Sequence, residues 1–221
     1  MISFSKNFKA NKLNKGMTYV ELIVVLSIFS IMTSIILFNY NEFQAKVDIK
    51  VLANDIALKI VEAQKSASSG KLPIQTVSTT WAPSYGIYFN TSGTIQSADS
   101  KNFIYFANTI DSLNHDYNDP SCILPPTAGG GECLEKFYIT KENSISRLDV
   151  FYQDGNSTVS PASSPTDFTV TFTRPNSGAN IKSTFSFTSA ISYIQVTISS
   201  SRTSSIKSYI KIYPSGRIQI N

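Results

Sequence analysis

An uninterrupted apolar run near the N-terminus constrains this chain more than any other feature of its sequence. Residues 17–38 read MTYVELIVVLSIFSIMTSIILF and contain one charged side chain, Glu21. As an α-helix, these 22 residues rise about 33 Å, which is enough to cross the hydrocarbon core of a bilayer. Neither proline nor glycine interrupts the run. The sequence therefore predicts a membrane-spanning helix over residues 17–38.

Basic residues are concentrated just before this run. The formal net charge of the chain is +4, and four lysines lie in residues 1–16, where no acid occurs. They are Lys6, Lys9, Lys12 and Lys15. Because a positively charged flank stays on the cytoplasmic side, we expect a single pass through the inner or cytoplasmic membrane with the N-terminus in the cytoplasm. An ordinary signal anchor or a cleaved secretory signal would also fit these observations.

The acid within the run is harder to reconcile with an ordinary anchor or signal. A carboxylate inside a lipid-facing helix costs about 2.5–3.5 kcal/mol. A cleavable secretory signal prefers small residues at the end of its apolar segment, where this chain reads ILFNYNEF. Glu21 therefore requires a partner in the membrane or in an assembly. It follows Gly16 by five residues.

Around Gly16 the chain reads KGMTYVEL, from Lys15 to Leu22. This segment resembles the cleavage and methylation signature of type IV prepilins and type II secretion pseudopilins. The resemblance implies that a prepilin peptidase/methyltransferase cuts after Gly16 and methylates the new amine of Met17. It also implies that Glu21 pairs with the Met17 amine of a neighbouring subunit, since opposite charges that are costly to bury alone become tolerable together.

The resemblance also implies a function, which is structural and not enzymatic. It implies a subunit, more often minor than major, of a type IV pilus or a type II secretion pseudopilus outside the membrane. Its partners would be other pilin-like subunits, the processing enzyme and an inner-membrane assembly platform, and no cofactor is expected. With His115 as its one histidine, the chain offers little for a catalytic triad or a multi-histidine metal site.

The helical pattern continues beyond the apolar run. Apolar residues recur at steps of three and four, and they are Ile49, Leu52, Ile56, Ile60, Ala63 and Ala67. Such a stripe is typical of a helix that packs on a globular domain. Gly70 and Pro73 then supply a stop signal. We expect a cleaved leader over 1–16, a membrane helix over 17–38, its amphipathic periplasmic or extracellular half over 39–70, and a globular domain over 71–221.

The globular domain is predicted to be β-rich, which makes the fold class α+β. Alternating apolar residues predict antiparallel strands with one buried face, at 86–89, 103–106, 137–139, 148–151, 168–172, 185–187, 194–198, 210–212 and 218–220. Turns are expected at 90–93 and 214–216, and long loops at 112–133 and 154–166. Trp81, residues 85–89 and the segment Gly216-Arg217-Ile218 add a diffuse resemblance to the H-type minor pseudopilins.

The two cysteines of the chain, Cys122 and Cys133, are separated by ten residues. An even number of cysteines at short separation permits a disulfide in an exported domain. Free thiols are the alternative interpretation.

A polar segment before Cys122 is a candidate calcium site. It contributes the oxygen donors Asp111, Asn114, Asp116 and Asn118, but their spacing does not match the twelve-residue calcium loop. Asp and Asn are also the ordinary residues of turns. A solvated turn is therefore the favoured interpretation of the segment.

The last third of the chain carries cations without acids. No Asp or Glu follows Asp167, and the candidates for contacts with nucleic acid are Arg202, Lys207, Lys211 and Arg217. The Gly216-Arg217 pair resembles one in minor pilins that bind extracellular DNA for uptake, which makes DNA binding the alternative function. Scattered solvated charges are the favoured interpretation, because phosphate binding needs clustered cations and these are sparse along the sequence.

Overall fold

The computed structural model describes residues 16–72, 83–93, 98–108, 116–117, 119, 122, 131–159, 164–202 and 205–221. Helix α1 covers Tyr19–Ser68. The strands that follow are β1 (Ser84–Asn90), β2 (Asn102–Asn108), β3 (Cys133–Tyr138), β4 (Ser144–Tyr152), β5 (Asp167–Thr173), β6 (Asn176–Lys182), β7 (Ile191–Ser199), β8 (Lys207–Ile212) and β9 (Ile218–Ile220). The predicted α+β order, a long apolar N-terminal helix before antiparallel sheets, is confirmed. Most of the leader, Pro73 and Trp81 lie outside the described residues.

Local side chains and backbone conformation define both ends of α1. At the start, the Thr18 hydroxyl accepts a hydrogen bond from the Glu21 amide at 3.3 Å, as an N-cap residue does. At the end, Gly70 adopts φ +64°, which glycine tolerates without strain. The Gly70 amide donates to the Ala67 carbonyl and the Lys71 amide to that of Ser66, both at 3.1 Å. This is the Schellman pattern, so the predicted stop at Gly70 is confirmed.

The chain divides into two units, the first ending at Asn41 and the second running from Glu42 to Asn221. The sequence predicts the end of the membrane-spanning segment at residue 38, three residues before the end of the first unit.

In the second unit, one stripe of α1 is almost completely buried. The side chains in this stripe are at most 3% exposed, and they are Ala45, Ile49, Ala53, Ile56, Ile60, Ala63 and Ala67. Two ion pairs contact other faces of the helix: Lys59 pairs with Glu135 of β3 at 3.4 Å, and Asp48 pairs with Lys141, in the turn between β3 and β4, at 2.6 Å. The predicted stripe is confirmed, with Leu52 partly buried at its edge.

The nine strands form two antiparallel sheets. The first sheet has the order β3-β2-β1-β5-β6, and the second has the order β4-β7-β8-β9. The predicted hairpin at the C-terminus is present, because Ile210 pairs with Ile220 and Ile212 with Ile218, across a turn in which Gly216 adopts φ +84°. Alternate residues of both sheets and the buried stripe of α1 share one apolar core.

The central strands of the first sheet are buried on both faces. Its outer face carries a separate cluster formed by Tyr88, Ile104, Phe106 and Tyr117, together with Ala98 and Cys133. Gly86 makes room on this face, because a Cβ there would lie 2.8 Å from the Phe106 ring and 2.6 Å from the Val170 carbonyl oxygen. Burial on both faces explains why every residue of β1 and β2 is inaccessible to solvent.

One strand prediction was wrong. No strand includes residues 185–187, although Phe185 and Phe187 alternate with polar residues. The carboxylate of Asp167 accepts hydrogen bonds from the Thr184 amide at 3.2 Å, and the Asp167 carbonyl accepts one from the Ser183 hydroxyl at 2.7 Å. These bonds hold Ser183 and Thr184 at the start of β5, and the residues that follow them do not pair with a neighbouring strand. The fifth strand of that sheet is instead β6, which the apolar pattern did not predict.

Candidate functional site

The first unit presents an apolar helical surface without protein cover. The large apolar side chains from Met17 to Leu37 are 46–76% exposed. An 18-residue window of α1 has a mean hydropathy of 2.5, which makes it, within the described residues, the one helix long and apolar enough to cross a membrane. A single-pass membrane protein is therefore indicated, and which side each end lies on remains a prediction.

Three hydroxyl groups of this surface are satisfied within the helix. Ser27 donates to the Val24 carbonyl, Ser30 to that of Leu26 and Thr33 to that of Phe29, each at 2.8 Å. Hydroxyls that bond to the preceding turn lose little when water is removed. Polar groups of this kind therefore do not oppose burial in lipid or against other helices.

Glu21 differs from these hydroxyls. Its carboxylate is exposed in the first turn of α1, where the positive end of the helix dipole favours an acid. Thr18 and Glu21 have the spacing of a capping box, so a local structural role for this acid is the simplest alternative. No described cation lies within ion-pair distance of Glu21. Gly16 and Met17 precede the helix and are exposed.

The two cysteines lie at the outer face of the first sheet. Cys122 and Cys133 form a disulfide, with their Cα atoms 5.0 Å apart, and Cys133 is fully buried. Nearby, the Tyr117 ring packs on Tyr88 and Phe106 at centroid distances of 5.2 and 5.0 Å. The disulfide and the ring contacts place Cys122 and Tyr117 at this face.

Only one of the four calcium candidates is described. Asp111, Asn114 and Asn118 lie outside the described residues, and the calcium site therefore stays a prediction. Asp116 pairs with the Lys182 ammonium at 3.2 Å. Among the residues that the structure describes, no three His, Cys, Asp or Glu side chains could hold a metal ion.

A hollow of about 530 Å³ lies beside this ion pair. Tyr88, Asp116, Asp167 and Lys182 contribute to its wall. Its charged groups already have protein partners, since Lys182 pairs with Asp116, and the Asp167 carboxylate accepts hydrogen bonds from the Ser183 hydroxyl and the Thr184 amide. The charged groups of this hollow are therefore engaged within the protein and are not available to bind a ligand.

Three of the four cations predicted to contact nucleic acid lie on the second sheet or its final turn. In β8, Lys207 and Lys211 point to the outer face, while Ser208, Ile210 and Ile212 are buried. Arg217 directly precedes β9. Arg202 lies apart from them, in the loop between β7 and β8. The structure thus brings Lys207, Lys211 and Arg217 together and leaves Arg202 outside the strands.

Sequence reasoning missed the aromatic side chains beside these cations. The Phe151 and Tyr193 rings stack at 4.5 Å, and Tyr193 is 5.4 Å from Tyr213. The signal was present in β8 and just beyond it, where Lys207, Tyr209, Lys211 and Tyr213 occupy every second position. Residues at this spacing share one face of a strand.

Comparisons with protein-family models, with curated proteins and with solved structures find no match for this chain. The geometry of its own residues therefore carries the functional argument.

Proposed function

We propose that this chain is a pilin-like structural subunit, held in a membrane by the first part of α1 and assembled into a filament through Glu21. The observation that carries the proposal is one acid, five residues after Gly16, in an otherwise apolar helix. The hydroxyls of Ser27, Ser30 and Thr33 have partners within the helix, whereas Glu21 needs a cation from elsewhere once water is excluded.

Cleavage after Gly16 would create that cation. Removal of the leader leaves an α-amine on Met17, which lies at the positive end of the helix dipole and is itself unfavourable to bury there. An amine of one subunit and a carboxylate of the next neutralise each other, and their pairing fixes the register between two apolar helices. The apolar surface supplies the contact area, and the Glu21–Met17 pair supplies the register.

The first test is the N-terminus of the protein recovered from membranes of cells that contain the processing enzyme. Mass spectrometry should find a chain that begins at N-methylated Met17, and a Gly16→Val variant should retain residues 1–16. If the unaltered protein keeps its leader under these conditions, it is an ordinary anchor and the proposal is wrong.

The second test separates assembly from anchoring. Glu21→Gln keeps the size of the side chain and removes its charge, so we expect unchanged membrane insertion and at least tenfold less protein in sheared filaments. Glu42→Gln is the matched control, because this acid lies on the same helix, is 59% exposed and pairs with Lys46. Equal incorporation of both variants would contradict the role assigned to Glu21.

A further inference from the structure

Two asparagines of the chain lie in the acceptor pattern for N-linked sugars, in which Ser or Thr stands at the second position after Asn. The first triplet begins at Asn90 and reads NTS, and the second begins at Asn156 and reads NST. Neither triplet has a proline at its middle position. The sequence does not distinguish between them, because both fall in predicted turns or loops, but the structure does.

Asn90, the acceptor of the first triplet, is the last residue of β1 and is inaccessible to solvent. Its side-chain nitrogen donates a hydrogen bond to the Tyr88 hydroxyl at 3.2 Å. Its side-chain oxygen accepts bonds from the amide and the hydroxyl of Ser92 at 2.8 and 2.9 Å. A sugar on this nitrogen would have no space and would disrupt buried hydrogen bonds, which is costly. The folded domain therefore excludes a glycan at Asn90.

Asn156, the acceptor of the second triplet, lies in the turn after β4, where residues 153–157 are all exposed. Asp154 shapes this turn, because its carboxylate accepts hydrogen bonds from the Asn156 amide and the Ser189 hydroxyl, both at 2.9 Å. Gly155 adopts φ +86°, and a Cβ there would meet no atom within 4 Å beyond its chain neighbours. The turn therefore presents its side chains to solvent, with room for a bulky group.

The hydroxyl that completes the second triplet is not accessible in the folded chain. Thr158 is 4% exposed, and its hydroxyl accepts a hydrogen bond from the Val150 amide at 2.8 Å. The Thr158 amide donates in turn to the Val150 carbonyl at 3.0 Å, so the end of the triplet is bonded to the edge of β4. An enzyme that reads this hydroxyl must therefore act before residues 150–158 adopt their folded pairing.

The second triplet also follows a charge that the first lacks. Asp154 stands two residues before Asn156, whereas Tyr88 stands two residues before Asn90. In an unfolded chain at neutral pH, an Asp side chain is ionised. An enzyme with a cationic acceptor site would therefore favour Asn156 over Asn90.

We propose that Asn156 carries an N-linked glycan, which an oligosaccharyltransferase transfers from a lipid-linked oligosaccharide before the second unit folds. The Asn156 side-chain nitrogen forms a bond to the anomeric carbon of the sugar and loses one proton. The bond from that carbon to the diphosphate oxygen breaks, and the polyprenyl diphosphate leaves. After folding, the glycan extends into solvent from the exposed turn. This site depends on the proposed function in one respect, because the second unit must be exported to meet the enzyme.

The test is peptide mass spectrometry on the full chain recovered from membranes of cells that contain the transferase and its lipid-linked oligosaccharide. We expect the mass of the sugar on the peptide that contains Asn156 and none on the peptide that contains Asn90. Asn156→Gln should remove the modification completely. Ser92→Ala, the matched control, destroys the first triplet at an exposed residue and should leave the modification unchanged. An unmodified Asn156, or a sugar on Asn90, would overturn the inference.

Substitutions at Thr158 test whether the triplet is read as an acceptor. Thr158→Ser keeps the hydroxyl and should stay modified at Asn156, whereas Thr158→Val keeps the shape of the side chain, removes the hydroxyl and should lose the sugar. Thr158→Val also removes the acceptor of the Val150 amide. Because transfer precedes folding, a destabilised chain would still be modified if the hydroxyl were not needed. A sugar retained on Thr158→Val would contradict the inference.

The order of the two events is tested by the time at which the transferase is supplied. In cells where its synthesis is induced only after the chain has been exported and folded, we expect at least tenfold lower occupancy of Asn156 than in chains made after induction. Equal occupancy in the two populations would contradict the order inferred from the burial of Thr158.

Export is measured separately from modification. Protease added to intact spheroplasts should digest the second unit if that unit lies outside the membrane. When the protease digests it and Asn156 is unmodified, the glycan site is wrong and the proposal for Glu21 is unaffected. A second unit that the protease cannot reach would contradict the proposed function and the glycan site together.

Discussion

The two parts of helix α1 share a backbone conformation and differ in what covers them. Leu26 and Phe29 in the first part are 55% and 67% exposed, whereas Ile56 and Ile60 in the second part are fully buried by the chain's own sheets. Both parts of α1 form their backbone hydrogen bonds, but only the second part buries its apolar side chains within the chain. The comparison indicates that the second part needs only its own domain, while the first needs lipid or other helices.

The largest effect should come from a charge placed on the buried stripe. Ile60→Asp puts a carboxylate into the shared core, and we expect a loss greater than the roughly 2–5 kcal/mol of a buried Ile→Ala change. Val61→Asp is the matched control one residue away, where the side chain is 47% exposed. Thermal unfolding of the chain in detergent should show a large fall in melting temperature for Ile60→Asp and little change for Val61→Asp. Similar melting curves would contradict the assigned packing.

The reverse pattern is expected in the first part. Val25→Asp adds a second acid to the apolar run and should cost about 2.5–3.5 kcal/mol of membrane insertion, without lowering the melting temperature of the second unit. The fraction of protein that resists alkaline extraction from membranes measures the first effect. A large fall in the melting temperature of the second unit would contradict the conclusion that only the second part of α1 stabilises it.

Alkaline pH should unfold the second part of α1 together with the sheets. Burial, followed by the nearby Asp167 charge, raises the pKa of Tyr88 from 10.0 to about 12. The folded state therefore holds this proton more tightly, and the resulting stability is complete below pH 10 and is lost between pH 10 and 12. Burial also raises the pKa of Tyr105. Circular dichroism and tyrosine absorbance should change together, and Tyr88→Phe should move the transition to higher pH.

The smallest effect is expected on the exposed side of the second part. Leu58 is 65% exposed, so Leu58→Ala should change the free energy of unfolding by no more than about 0.5 kcal/mol. Denaturant unfolding of this variant beside Ile56→Ala, which should lose roughly 2–5 kcal/mol, measures the contrast between two faces of one helix. A comparable loss in both would mean that Leu58 is covered in the isolated chain.

The features predicted well from the sequence were those with a strong local period. The stripe through Ile49, Ile56 and Ile60 repeats at helical spacing, and Gly70 provides the left-handed residue that ends the helix. The hairpin of β8 and β9 followed from alternating isoleucines on either side of a turn. In each case the residues that decide the structure lie close together in the chain.

The features that failed depend on distant partners. β6 reads NSGANIK, with Asn and Gly that disfavour strands, yet it pairs along β5 and places Ile181 opposite Val170. Residues 185–187 have a strand-like pattern but form no strand, because the preceding residues Ser183 and Thr184 hydrogen-bond to Asp167. The nucleic-acid candidates were named as cations alone, because the rings of Phe151 and Tyr193 reach them only through the register of β4 and β7.

The interleaving of the two sheets has a consequence for the order in which the domain can form. β4 is followed by β5 and β6 of the other sheet, and the strand beside β4 in the described part of the chain is β7, which begins at Ile191. A nascent chain that has emerged only as far as Lys182 therefore holds β4 without its neighbour. All strands of the first sheet have emerged by then, whereas the second sheet can cover its side of the core only after β7 and β8 have been synthesised, and such long-range pairing is slow to form.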